Sequence, residues 1–204
     1  VAKPGARTPA ASGDELKVKL VDATVHVLAR DGFAHTSARA VAQEAGTVNG
    51  SVFYYYGSMD GLLAATIDAL AERGVARIGE SLGGERAHVE WPKRLGQVLK
   101  DEAEGEDGRA VMELFVGSRT SPVLAASVRA AIDRAIDYAT AQLATVLGDA
   151  PLTQVVPVPL LAEIAAATFL GIEVLAQNGR ALDVDRVVAL VATAVQLLAP
   201  PTPR

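Results

Sequence analysis

The chain is expected to fold as an all-α protein, and three observations carry that expectation. Half of its residues are hydrophobic, yet only 4% are aromatic. The apolar set is rich in Ala, Val and Leu, which favours packed helices over sheet. Apolar runs recur between stops at Gly32, Gly148, Asn178-Gly179 and Pro200-Pro201. Near the N-terminus, two short helical patterns over residues 37–56 are joined by a glycine-containing turn. The predicted layout is a three-helix N-terminal unit followed by a helical C-terminal domain, about nine helices in all.

Residues 1–13 are rich in Pro, Gly, Ala and Ser and are expected to form a disordered tail. Lys3 and Arg7 within it read as solvated charge in preference to a phosphate-binding arm. Helix one opens on Ser12-Gly13-Asp14-Glu15, a capping-box pattern. Its broad apolar side runs through Leu20, Val21, Thr24, Val25, Val27 and Leu28, and Gly32 stops it. Ser37 can cap the second helix by accepting an otherwise unpaired amide hydrogen. Val41 and Ala45, four apart, share a face, and Ala42 beside them is small enough for a close helix crossing. Gly46 can take the positive φ that ends this helix and turns the chain sharply. Val52 and Tyr55 on the third helix then face back toward Val41 and Ala45. Asn49, Gly50, Ser51, Phe53 and Tyr54 are left outside, and Tyr56 reads as core.

Ser58 can cap a fourth helix, running through Leu62, Leu63, Ile67 and Leu70 toward Gly79. Gly74 within it costs about 1 kcal/mol relative to Ala, as a pliant connector or as a tolerated glycine. Five more helices are expected. Trp91-Pro92 opens one that ends before residues 104–108. Arg109 to Arg119 forms the next. Ser121-Pro122 starts a long one through Leu124, Val128, Ile132, Ile136 and Leu143. The stretch Pro151 to Pro159 reads as a linker loop. Leu160 to Gln177 and Asp183 to Leu198 are the last two, and both are apolar nearly all round, so each needs burial on every side.

The outward residues of the third helix are amide, hydroxyl and aromatic, where a surface helix would usually carry carboxylates and lysines. That is the arrangement of a helix-turn-helix, whose second helix enters the DNA major groove; an ordinary helical hairpin is the alternative at this point. Other classes lack support. There is no cysteine, and His26, His35 and His88 have no metal-ligand spacing. Neither a Gly-x-Ser-x-Gly elbow nor a Gly-x-x-x-x-Gly-Lys phosphate loop is present. The acidic run Asp101 to Asp107 reads as a solvated loop. No stretch is expected to reach the length of a membrane span, and no signal peptide is read. The expectation is a cytoplasmic non-enzyme with no catalytic residue, metal or cofactor.

The order of features over residues 14–63 resembles the TetR family of bacterial transcriptional regulators. The residues that carry the resemblance are Gly32-Phe33, Thr36-Ser37, Ala42-Gln43-Glu44-Ala45-Gly46, Gly50-Ser51-Val52-Phe53, Tyr54-Tyr55-Tyr56, Gly57-Ser58 and Leu62-Leu63. The resemblance implies a helix-turn-helix DNA-binding domain at 14–60 and a C-terminal ligand-binding and dimerisation domain at 61–204. It places Ser37, Arg39, Asn49, Ser51, Phe53, Tyr54 and Tyr55 at or beside a double-stranded DNA operator. Arg39 suits guanine or phosphate, Asn49 suits adenine, and the hydroxyls suit phosphate oxygens. Phe53 suits a thymine methyl, or packs beneath the helix. The resemblance also implies a homodimer through residues 160–177 and 183–198, and a small-molecule effector. Trp91, Met112, Phe115, Tyr138 and Phe169 are the candidate pocket residues, each taken singly better read as core packing; Arg134 and Glu113 are the polar candidates, equally readable as solvated or paired. A pocket of this kind would favour a largely apolar effector, whose binding would release a repressor.

Two positions depart from the family pattern. Met59 stands where a phosphate-binding lysine is usual, and Val48 where a serine is usual. Residues 1–60 hold six Lys and Arg against six Asp and Glu, and the whole chain carries a net charge of −5. Few cations release few counterions, so a shallow salt dependence of DNA binding is expected. The same departures carry the alternative of a helical small-molecule- or partner-binding protein whose N-terminal unit has weakened or lost DNA affinity.

Overall fold

The computed structural model describes residues 13–82, 93–94, 96–101, 105–147, 151–180 and 183–198. Among these, all regular structure is helical. The elements are α1 Gly13–Asp31, a single 3-10 turn at Phe33–His35, α2 Ala38–Glu44, α3 Gly50–Tyr56, α4 Met59–Leu82, α5 Glu106–Ser118, α6 Pro122–Leu147, α7 Pro151–Val155, α8 Val158–Gln177 and α9 Val184–Leu198. A short helical stretch at 96–101 precedes α5. The Ser12 cap, Lys3, Arg7, His88, Trp91, Pro92 and Gly148 lie outside the described residues.

The broad apolar side of α1 is explained by two cores. Leu20, Val21, Ala23 and Val27 join Val41, Val52 and Leu62 in an N-terminal core. Val25 and Leu28 join Leu63, Ile67 and Leu70 of α4, with Ala110, Leu114, Leu124, Val128 and Ala131, in a second core. Helices α1 and α4 are therefore walls common to both. Met59 is half-buried and packs against both cores. Thr24 and Thr66 are fully buried, and each satisfies its hydroxyl by donating to the carbonyl four residues back, Leu20 at 2.7 Å and Leu62 at 2.8 Å. Around the second core, α4 lies along α6, α6 along α8, and α5 against α1.

Ion pairs fasten α4 to its neighbours. Arg73 binds Asp22 of α1, and Arg77 binds Asp107 of α5 at 2.8 Å. Asp107 thus corrects the reading of residues 101–107 as a solvated loop: it stands in the first turn of α5 with two arginines near it. A carboxylate there is also favoured by the helix dipole.

The proline-rich stretch is corrected too. Pro151 begins α7, Pro157 caps α8, and Pro159 lies in the first turn of α8. Each proline sits where a helix start leaves the missing amide hydrogen without consequence, so these residues punctuate helices and do not exclude them. Helix α8 also reaches a length and apolar composition sufficient to cross a membrane, contrary to expectation. Its two charges, Glu163 and Glu173, shorten the charge-free run without lowering the average below that level.

Candidate nucleic-acid interface

The turn between α2 and α3 is built from local rules. The Ser37 Oγ accepts the Ala40 amide at 3.3 Å and starts α2. Gly46 takes φ +65°, and the Thr47 amide reaches back to the Ala42 carbonyl at 2.8 Å, closing the helix end. The chain then re-enters a helix at once: the Ser51 amide donates to the Val48 carbonyl at 2.9 Å and the Val52 amide to the Asn49 carbonyl at 3.3 Å. Val41 and Val52 are wholly buried where the two helices cross, and Ala42 is 2% exposed beside them.

Burying Val52 turns the opposite face of α3 outward. Tyr54 is 81% exposed and Phe53 49%, and Asn49 and Gly50 are exposed. Asn49 makes no side-chain capping bond, so its amide has no local duty. Arg39 on α2 and Ser37 at its cap are exposed. Tyr55 is half-buried against the N-terminal core and meets Tyr54 edge to face, with ring centroids 4.8 Å apart. Ser51, read as outward, is half-buried, and its hydroxyl shares a hydrogen bond with Thr47 Oγ1 at 3.0 Å. Its free lone pair remains, but its position is tied to the helix start. Tyr56, read as core, is half-buried, and its phenol donates to the Lys17 carbonyl at 2.9 Å. Desolvation by that burial raises its pKa.

The electrostatics around this face are sparse. Residues 45–59 contain no charged side chain. Arg30 is committed to Asp31 at 2.9 Å and Glu44 at 2.8 Å. That hydrogen bond from Arg30 holds the Asp31 carboxyl below its ordinary value, and both acids keep the guanidinium charged. The Met59 side chain is spent on packing between the cores.

A coupling absent from the sequence reading joins this unit to α5. The Phe33 amide donates to Glu113 Oε2 at 2.6 Å. The Phe33 ring rests on the backbone of Gly117, in the space that any Cβ there would occupy. Glu113 is therefore a cap for the turn after α1. The hint the sequence holds is Gly117 itself, a glycine near the end of the helical run Arg109 to Arg119. Of the other pocket candidates, Met112, Phe115, Tyr138 and Phe169 are half-buried, with Phe115 against the second core. Arg134 is exposed and paired with Asp68 at 2.6 Å, so it stands at the surface. Trp91 lies outside the described residues.

Residues 20–66 match the family model described as bacterial regulatory proteins, tetR family. Over 51 residues the chain is 41% identical to the HTH-type transcriptional regulator BetI of Paraburkholderia phytofirmans, a match covering 25% of this chain. It spans about a quarter, 26%, of that relative's length. A transcriptional regulator from Rhodococcus sp. Rha1 superposes with a TM-score of 0.70 at 21% identity, over 92% of this chain and 99% of that one. A protein of Saccharomonospora viridis solved in complex with choline gives 0.69 at 18% identity, over 90% and 96%. These two likenesses concern the fold.

Proposed function

We propose, for a chain that belongs through residues 20–66 to the TetR family of bacterial regulatory proteins, that its function is ligand-responsive control of transcription by direct binding to duplex DNA. The observation that carries this reading is the outward face of α3. Asn49, Phe53 and Tyr54 stand exposed on a short helix whose inner residue, Val52, is wholly buried against α2. A rigidly seated helix with free amide, aromatic and hydroxyl groups fits the major groove. Ser37, Arg39, Ser51 and Tyr55 are the flanking contacts, mainly to phosphate, and set register without reading sequence.

The working form is a homodimer. Leu160, Ile164 and Val174 of α8 and Leu190 of α9 are exposed apolar side chains in the single chain. A two-fold partner laid on these helices would cover them. It would also set two recognition helices for half-sites about one helical turn, or a multiple, apart. The exposed apolar character of α8 belongs on this reading to a subunit interface in a cytoplasmic protein. The C-terminal helices would hold a small, largely apolar effector near Met112, Phe115, Tyr138 and Phe169. That effector releases a repressor only if it binds the DNA-incompetent conformation more tightly than the competent one.

A gel shift against DNA flanking the chain's own gene tests the reading. The wild-type chain retards a fragment and the Asn49→Ala, Tyr54→Ala double variant does not. Undiminished binding by that variant at every site removes these residues from the interface. Mass spectrometry of a co-purified molecule would identify the effector.

A further inference from the structure

Just ahead of α3 stands one exposed apolar side chain to which no contact has been assigned. Val48 is 72% exposed, immediately ahead of Asn49. Its carbonyl accepts the Ser51 amide at 2.9 Å, which closes the turn leading into the recognition helix, and its side chain is left outside. Residues at this end of a recognition helix are those that meet base edges. An isolated exposed valine is ordinary. Here, however, Val48, Phe53 and Tyr54 are all exposed within seven residues, on a stretch of chain with no charge from Ala45 to Met59. The two hydroxyls nearest to Val48, those of Thr47 and Ser51, are bonded to each other.

The major groove presents one apolar group, the C5 methyl of thymine. Resting on the reading of this chain as a DNA-binding regulator, we infer that Val48 is a specificity-determining residue that packs against a thymine methyl in each operator half-site. The chain then selects thymine over cytosine and uracil at that position by contact with a methyl group. A serine at position 48 would have offered a hydroxyl to phosphate or to a base edge. Valine exchanges that polar contact for an apolar one, consistent with a surface that has few cations to hold phosphate.

The test uses the full-length dimer and duplexes selected by it from a random pool. Each thymine of the selected half-site is replaced in turn by deoxyuridine, which removes only the methyl group, and affinity is read by fluorescence anisotropy. One position is expected to lose about four-fold in affinity per half-site, the effect of exposing one buried methyl, and about fifteen-fold when both half-sites are changed. Val48→Ala should bind the thymine operator as weakly as wild type binds the uracil one, with no further loss on substitution. Because Val48 is exposed, its thermal melt should match wild type. Binding that is indifferent to deoxyuridine at every position overturns the inference and leaves the regulator reading standing. So does a methyl dependence that persists unchanged in Val48→Ala. Failure to select any duplex overturns both.

Discussion

Gly117→Ala offers the sharpest test of how the N-terminal unit is joined to the rest. A methyl added at Gly117 would lie against Cε2, Cδ2 and Cζ of Phe33, far inside the usual carbon contact distance of about 3.5 Å. The ring must leave its seat on the second core, and the obstacle is a whole aromatic ring and not the far end of a flexible chain. Overpacking of this kind costs up to about 3 kcal/mol. Replacing a glycine in the last turn of a helix by alanine returns at most about 1 kcal/mol. The net loss is then about 2 kcal/mol, which for a chain of 204 residues lowers Tm by roughly 4–8 °C. In a Phe33→Ala background the ring is gone and the same substitution should stabilise by at most about 1 kcal/mol. The double-mutant cycle therefore predicts a coupling of about 3 kcal/mol between residues 84 positions apart, measured by thermal and urea unfolding at fixed protein concentration. An equal cost of Gly117→Ala with and without the Phe33 ring would show that the ring does not rest on Gly117.

Three further outcomes follow. Gly74 has open space where a Cβ would sit, so Gly74→Ala should stabilise by about 0.5–1 kcal/mol in thermal melts; retained DNA affinity with lost effector release would identify the glycine as a needed connector. Burial raises the Tyr56 pKa, so the folded state holds the phenolic proton more tightly than the unfolded chain. That contribution is intact below the unfolded phenol value of about 10 and declines as pH rises through the folded value; Tyr56→Phe should remove this alkaline loss in melts recorded from pH 8 to about 11. Finally, with no cation from Ala45 to Met59, log affinity against log salt should fall with a slope shallower than about −5, the equivalent of six phosphate contacts; a steeper slope in a salt titration contradicts the assignment of contacts.

What could be read from the chain was what neighbouring residues decide. The Ser37 and Ser58 caps, the positive φ of Gly46 and the inward turn of Val41 and Val52 depend on contacts within about twenty residues, and each is found where the pattern placed it. The outward placement of Asn49, Phe53 and Tyr54 followed from the inward one. Less legible was whatever depends on a distant partner. Nothing near Gly117 announces that a ring from residue 33 will lie on it, and the choice for Glu113 between a ligand contact and a solvated or paired acid is decided by an amide 80 residues away. Met59, where the family pattern has lysine, packs against two cores at once, which one helix pattern does not reveal. The prolines of residues 151–159 were misread because a start signal and a break signal use the same residue. Whether half-buried side chains such as Met112, Phe115, Tyr138 and Phe169 gather round a cavity depends on how whole helices lean together, beyond what periodicity encodes.

Regulation by this chain requires that the helix beginning beside Asn49 occupy the major groove of DNA. Dimethyl sulfate separates the grooves, because it methylates guanine N7 in the major groove and adenine N3 in the minor. On a selected operator the wild-type chain should protect guanine N7 in two symmetric patches about one helical turn, or a multiple, apart, and the Asn49→Ala, Tyr54→Ala variant should lose both. Protection confined to adenine N3, or an unchanged pattern with the double variant, would contradict that placement.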